Sequence, residues 1–364
     1  MKKLSFLISI LFSFICLFPN SCSREQWEGK VYKEQGVTVV DSHGIGLWGD
    51  EINSKIQFRE TLSVGVETGE EYLMFHSELG IAVDADSNII VLDSRNHRLI
   101  KFDSLGNFVW KAGGKGQGPG EFQNPFQVAV DPSGEIWVLD TGNLIQVFDD
   151  KGQYMRTVRL EDRGNHIQFL PDDRLLISKT TRGKMGISAD FYSRDGKLLD
   201  KFPIEHSFGQ DLPSWAGGSI GGGGFYFSGK SIHMVIPNVY EIRELDLEGN
   251  LLKKIKRDLK LEPPEVKAYQ TGFSMTTSNV MGPCFMYKSK ILINSLMLIE
   301  KKAPTDYEFH IFLDIFNEKR QFLGAYKLPE DTWLRTIDSE DNFYFVQQSP
   351  YPRVYRALLE KDTF

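Results

Sequence analysis

Cysteine is scarce in this sequence: 364 residues hold only Cys16, Cys22 and Cys284. A framework of disulfides is therefore excluded as the source of stability. Basic blocks are missing too. The formal net charge is -7, with 42 Lys and Arg against 49 Asp and Glu, which argues against a nucleic-acid partner held by phosphate neutralisation. No HExxH, Gly-x-Ser-x-Gly or closely spaced Cys/His set occurs, so the usual metalloprotease, serine-hydrolase and zinc patterns are absent. The glycine-rich run 217–224 lacks a following Gly-Lys-Ser/Thr and reads as a linker, not a phosphate cradle. Neither a cofactor nor a metal is called for. The longest apolar stretch, Leu4 to Phe18, is shorter than the about 20 residues of a membrane-spanning helix.

What is present is ordinary globular composition, 41% hydrophobic and 25% charged, enriched in residues that favour strands and turns: 26 Phe, 13 Tyr and 33 Gly. Lys2 and Lys3 before the apolar stretch give the order of a secretory signal. The stretch ends at Pro19-Asn20-Ser21-Cys22-Ser23, which resembles the lipoprotein signals of Gram-negative bacteria. That resemblance implies a signal peptide over 1–21 and lipidation of Cys22, so that the membrane is a partner through an N-terminal anchor. Pro19 stands where the pattern prefers Leu, and Ser21 with Ser23 also satisfies ordinary cleavage after Ser23, which leaves simple secretion as the alternative. Both readings take the chain to the cell envelope or beyond. Residues 22–54 read as a tether and lead-in, and 55–364 as the folded domain. Ser23-Arg24-Glu25-Gln26 is not an acid-rich export tether, so an outer-membrane lipoprotein on the periplasmic face is expected. Cys284, in Met281-Gly282-Pro283-Cys284-Phe285 with no spaced partner, reads as a buried structural thiol.

Self-similarity is the strongest signal. Asp84 falls on Asp131, Asp93 on Asp140 and Asn96 on Asn143 at an offset of 47, and the Phe-Asp…Gly turn 102–106 falls on 148–152 at an offset of 46. The second unit shows four strands, Phe126 to Val130, Glu135 to Leu139, Leu144 to Phe148 and Tyr154 to Leu160, separated by Asp/Gly turns. A recurring four-stranded unit of about 40–50 residues is a propeller blade. Decayed copies over 167–202, 225–257, 284–326 and 333–358 bring the total to six. The last copy has only three strands, and Gln57 to Val66 supplies its missing fourth. The expected fold is all-β: a six-bladed β-propeller of four-stranded antiparallel blades, its ring closed by an N-terminal strand.

The Asp-x-x-Gly/Asn-x-Ile-x-Val-x-Asp-x-x-Asn pattern, with Gly114 to Pro125 as an inter-blade connection, resembles the NHL repeat over 79–160. Beyond that the likeness is architectural, closest to the six-bladed propeller lipoproteins of Bacteroidota.

Up-and-down blades place the turns between strands one and two, and three and four, on one face. Those turns are short. The long insertions, Thr180 to Gly186, Ile204 to Gly224, Asp258 to Gly282 and Ile299 to Asp306, belong to the opposite rim, where long loops on a rigid scaffold carry binding residues. Within them, Pro263 to Gln270 reads as a short helix. The ligand-binding candidates at this rim are Arg95, His97, Gln123, Asn124, His166, Trp215, Asn238, Asn279 and Arg335. The repeated Asp84, Asp93, Asp131 and Asp140, with Asn96 and Asn143, read as turn and blade-bonding residues. No catalytic residue stands out. The favoured function is a monomeric binding module for an envelope protein, a peptide or a glycan. The alternative is a metal-dependent enzyme, resembling propeller lactonases or peptide-amide lyases, with oxygen or imidazole ligands converging in the central tunnel.

Overall fold

The structure, a computed structural model, describes residues 27–181, 186–202, 224–236, 239–261, 265–269, 272–276, 279–303 and 306–361. Six four-stranded antiparallel units form a ring. Blade 1 spans Leu79–Val83, Ile89–Asp93, Arg98–Phe102 and Phe108–Gly113, and blade 2 spans Pro125–Val130, Ile136–Asp140, Leu144–Phe148 and Tyr154–Arg159. Blades 3, 4 and 5 begin with inner strands His166–Phe169, Gly224–Phe227 and Asn279–Tyr287 and end with outer strands Leu198–Phe202, Leu251–Arg257 and Phe322–Lys327. Blade 6 combines Thr332–Ile337, Phe343–Gln347 and Arg353–Leu359 with Phe58–Val64, which pairs antiparallel from Val354↔Val64 to Leu359↔Phe58. The expected closure is present, and it joins the two ends of the domain by backbone hydrogen bonds.

Burial explains why the second strand of each blade reads as a continuous apolar run rather than an alternation. Ile89 and Val91 pack against blade 6, whereas Ile90 and Leu92 pack against blade 2, because successive side chains leave opposite faces of a strand. A strand between two blades has no solvent face. The described core accordingly divides into six apolar clusters, one at each blade junction.

The short turns repeat one device. Asp84, Asp103, Asp131, Asp149, Asp246 and Asp338 each accept backbone N–H groups two and four residues on, at 2.7–3.1 Å. Asn317 does the same in blade 5. These side chains satisfy the donors that a tight turn would leave open. Gly196 closes one such turn at φ 86°, where a Cβ would stand 2.5 Å from the Arg159 carbonyl oxygen of the preceding blade. Asp93 and Asp140 instead hold incoming connections: Asp93 accepts His76 N–H and Asp140 accepts Gln123 and Asn124 N–H. Asn96 donates to Asp93, the turn role expected of it.

Three expectations need correction. The lead-in 22–54 is not a plain tether: Gly29–Glu34 and Val37–Ser42 form a hairpin whose second strand pairs parallel with Leu251–Arg257, extending blade 4 to six strands. Val39 and Val40 are buried there, and the hairpin covers an outer edge that would otherwise be open. Within Pro263 to Gln270, expected as a short helix, the described residues are strand instead. Glu265–Tyr269 pairs with Gly272–Thr276 as a hairpin, since so short a segment gains little from helix formation and a strand partner follows at once. The insertion around Ile299 to Asp306 is strand, not loop: Ile291–Ala303 and Asp306–Phe316 stay paired out to Ala303↔Asp306. Cys284 is buried and donates its S–H to Asn294 Oδ1, and burial raises its pKa, as befits an inert thiol.

Candidate functional site

Inner strands of the six blades surround a channel with two cavities in line, about 590 Å³ at the rim end and about 500 Å³ at the short-turn end. Both cavities are lined by Ile81, Gln127, Val128, His166, Pro283 and Arg335, so these residues mark the narrow zone between them. Of the nine candidates, Arg95, His97, Asn124, His166 and Arg335 line the rim cavity together. Gln123 does not; its backbone N–H is held by Asp140. Trp215 and Asn238 lie outside the described residues. Asn279 opens the inner strand of blade 5, opposite Met297, and its side chain lies outside the described residues.

Backbone irregularity aims the cavity's side chains. Inner strands of blades 1, 3 and 4 pair without interruption. In blade 6 the register jumps between Leu334 and Thr336, leaving Arg335 as the extra residue. In blade 2 it jumps between Pro125 and Gln127, leaving Phe126, and in blade 5 between Val280 and Cys284, leaving Met281, Gly282 and Pro283. All five bulged residues line the rim cavity. Bulges re-aim side chains and gather beside functional sites. Gly282 adopts φ 64°, and a Cβ there would stand 2.5 Å from the Tyr226 ring; only glycine permits that approach.

Charge in the cavity is uneven. Arg95 is paired with Glu78 at 2.6 Å at the exposed lip. Arg335 has no ion pair or hydrogen bond among the described residues, and its guanidinium lies 6.0 Å from the Trp333 ring, a weak contact. Arg335 is exposed to the channel, and partial loss of water there lowers its pKa from the ordinary arginine value. The His166 ring stands edge-on to Tyr226 with centroids 5.3 Å apart, and its Nδ1 has no partner among the described residues. Burial pushes His166 down to about 4, so the ring is neutral near pH 7 and offers one donor and one acceptor. The buried His97 Nδ1 also lacks a partner. Burial raises the Tyr226 phenol, whose hydroxyl donates to Met281 O at 3.4 Å. Phe126 is 38% exposed at the cavity wall.

Sequence reasoning missed Phe126, Tyr226, Glu78 and the 281–283 bulge. A register slip of one residue moves a side chain to the other face, and no composition signal marks where an inner strand bulges. As for ligands to a metal, the one His/Cys/Asp/Glu group among the described residues that is close enough is Glu300, Glu308 and His310. It lies on the extended blade 5 hairpin, outside the channel, with Lys302 paired to both carboxylates. Among the described residues, no three His, Cys, Asp or Glu side chains converge in the channel. No helix among the described residues is long and apolar enough to cross a membrane.

Comparisons with known proteins follow the geometry. Residues 52–201 match a family model described as a 6-bladed beta-propeller. NHL repeat-containing protein 3 of Homo sapiens is 31% identical over 157 residues, covering 40% of this chain and 45% of the relative. The Drosophila melanogaster protein brain tumor is 36% identical over 85 residues, covering 22% of this chain and 8% of the relative. The chain thus spans less than half the length of the curated relatives it matches. Among solved structures, an exported protein from Bacteroides fragilis superposes with a TM-score of 0.58 at 11% identity, covering 89% of this chain and 100% of that one. A Bacteroides vulgatus protein gives 0.56 at 11% identity, covering 84% and 99%. Repeats, ring and comparisons agree: this chain is a six-bladed β-propeller, similar over part of its length to NHL repeat-containing proteins.

Proposed function

We propose that the protein is a binding module of the cell envelope, tethered through lipid on Cys22, that receives a protein, peptide or glycan at the rim end of its channel. The observation that carries this reading is the rim cavity: three inner strands break register at it, and each break turns a side chain or a backbone corner into the opening. A ring that needed only stability would keep its inner ladders regular, as blades 1, 3 and 4 do. The extended hairpin of Ile291–Ala303 and Asp306–Phe316 joins the second and third strands of blade 5, which strand direction brings to the same rim. Tyr226, Phe126 and Pro283 give apolar wall, while Asn124 and His166 give hydrogen-bonding groups, the mixture typical of ligand sites.

Arrays of glycans and peptides probed with the full chain test this reading against matched variants. Phe126→Ala and Asn124→Ala are expected to lower binding of any retained ligand by about tenfold, whereas Lys319→Ala on the short-turn face leaves it unchanged. Loss through Lys319→Ala with the rim variants intact would place the working surface on the wrong side. Metabolic labelling with an alkyne fatty acid tests the anchor: the label is expected on the wild type and absent from Cys22→Ser.

A further inference from the structure

We propose that the narrow zone of the channel is a carboxylate site, in which Arg335 holds the acidic group of a ligand that enters from the rim. The inference rests on the binding reading above and names the chemistry of the ligand. Arg335 is exposed to the channel and has no counter-ion among the described residues, so its N–H donors face the cavity unengaged. The arginines largely buried at blade junctions are paired instead: Arg98 with Asp93 at 2.8 Å, Arg257 with Asp314 at 2.8 Å and Arg320 with Glu244 at 3.3 Å. Arg335 differs from those three in being the extra residue of a bulge, turned into the channel instead of into a blade junction.

Its surroundings select the kind of anion. The acidic side chains nearest the channel are already engaged: Glu78 with Arg95, Asp84 with Lys101, and Asp338 with its own turn and the Tyr344 hydroxyl. Arg335 therefore dominates the field in the narrow zone of a protein that is acidic overall. A planar guanidinium matches a carboxylate through two parallel N–H···O bonds. Of the two described arginines lining the channel, Arg335 alone is uncommitted, and the histidine beside Tyr226 is neutral near pH 7. That single cation suits a monoanion better than a phosphate dianion. Beyond the acid, the partnerless Nδ1 of His166 and the amide of Asn124 meet hydroxyl or amide groups, and the Phe126 and Tyr226 rings meet the carrier's apolar face.

Two carriers present such a group, a sugar acid and the chain end of a peptide, and calorimetric titration of the full chain separates them. Glucuronate and N-acetylalanine serve as the probes, with glucose, N-acetylalanine amide and inorganic phosphate as the controls. Binding of either carboxylate, at least about tenfold tighter than its uncharged partner, is expected, and the stronger of the two identifies the carrier. Arg335→Gln is expected to erase that preference and Arg335→Lys to keep only part of it, because an ammonium lacks the fork. The proposal is overturned if neither carboxylate binds, if phosphate binds more tightly than both, or if Arg335→Gln leaves the preference intact while its melting curve shows a folded protein. Those outcomes differ from failure of the binding reading itself, in which array ligands are indifferent to Phe126→Ala and Asn124→Ala.

Discussion

The two ends of the channel use polar residues in opposite ways. At the short-turn end, six aspartates and one asparagine repeat one hydrogen-bonding scheme, each accepting backbone N–H groups of its own turn. At the rim end, Arg335, the Nδ1 of His166 and that of His97 have no described partner, and three inner strands give up regular pairing to shape the opening. Repetition builds the fold, and departures from repetition build the site. Polar groups that hold blades together should be expensive to remove, and polar groups held for a ligand should not.

The largest expected effect is at the junction of blades 4 and 5. Asp314 is fully buried and accepts from Arg257 and from the Tyr240 hydroxyl, while the Arg257 guanidinium lies 4.1 Å from the Phe322 ring centroid. Asp314→Ala strands a buried cation and a buried hydroxyl, and chemical denaturation should show a loss of about 3–5 kcal/mol. A loss under about 1 kcal/mol would mean that the inter-blade staples do not hold the ring.

Next in size is an acid limb that sharpens the comparison. His233 in blade 4 is fully buried, neither ring nitrogen has a described partner, and burial pushes it down to about 4. The unfolded chain then binds more protons than the fold between the unfolded value near 6.5 and about 4, so stability rises with pH across that window. Stability is intact above pH 6.5 and falls as the pH drops, by about 3 kcal/mol in total. His166 adds a loss of the same sign. His233→Leu should flatten the His233 part, read from denaturation midpoints at pH 7 and pH 4.5; an unchanged slope would show that the buried ring does not titrate as described.

A smaller effect is expected where the N-terminal hairpin is fastened. The buried Ser42 Oγ accepts from Trp27 Nε1 at 3.1 Å and from Phe322 N–H at 3.1 Å. Ser42→Ala should cost about 1–2 kcal/mol, and faster hydrogen exchange over 29–42 would localise the loss. The smallest is Asp149→Ala, in a partly exposed turn, expected at about 1 kcal/mol or less. A cost as large as that of Asp314→Ala would remove the distinction between turn and staple.

The sequence made the fold legible through the turns, because the Asp that accepts two backbone donors is also the residue that recurs at an offset of 47. The closing strand was legible because blade 6 visibly lacked one. The Val37–Ser42 strand was not, since it pairs parallel to a strand more than 200 residues away and matches no repeat. Rim candidates were legible where strand order fixed them, as for Arg95, His97, Asn124 and His166. Arg335 was named as a rim residue, but its place in the narrow zone depends on a bulge that no local pattern announces. Phe126 escaped for the same reason, whereas Tyr226 sits in a regular inner strand whose facing could not be read from strand periodicity alone.

Thermal unfolding of Arg335→Gln beside the wild type tests the division between fold-holding and ligand-holding groups most directly. Because Arg335 is exposed to the channel and has no counter-ion among the described residues, its replacement should leave the midpoint almost unchanged. A fall as deep as that of Asp314→Ala would show that Arg335 holds the ring together, and the rim cavity would lose its claim to be the working site.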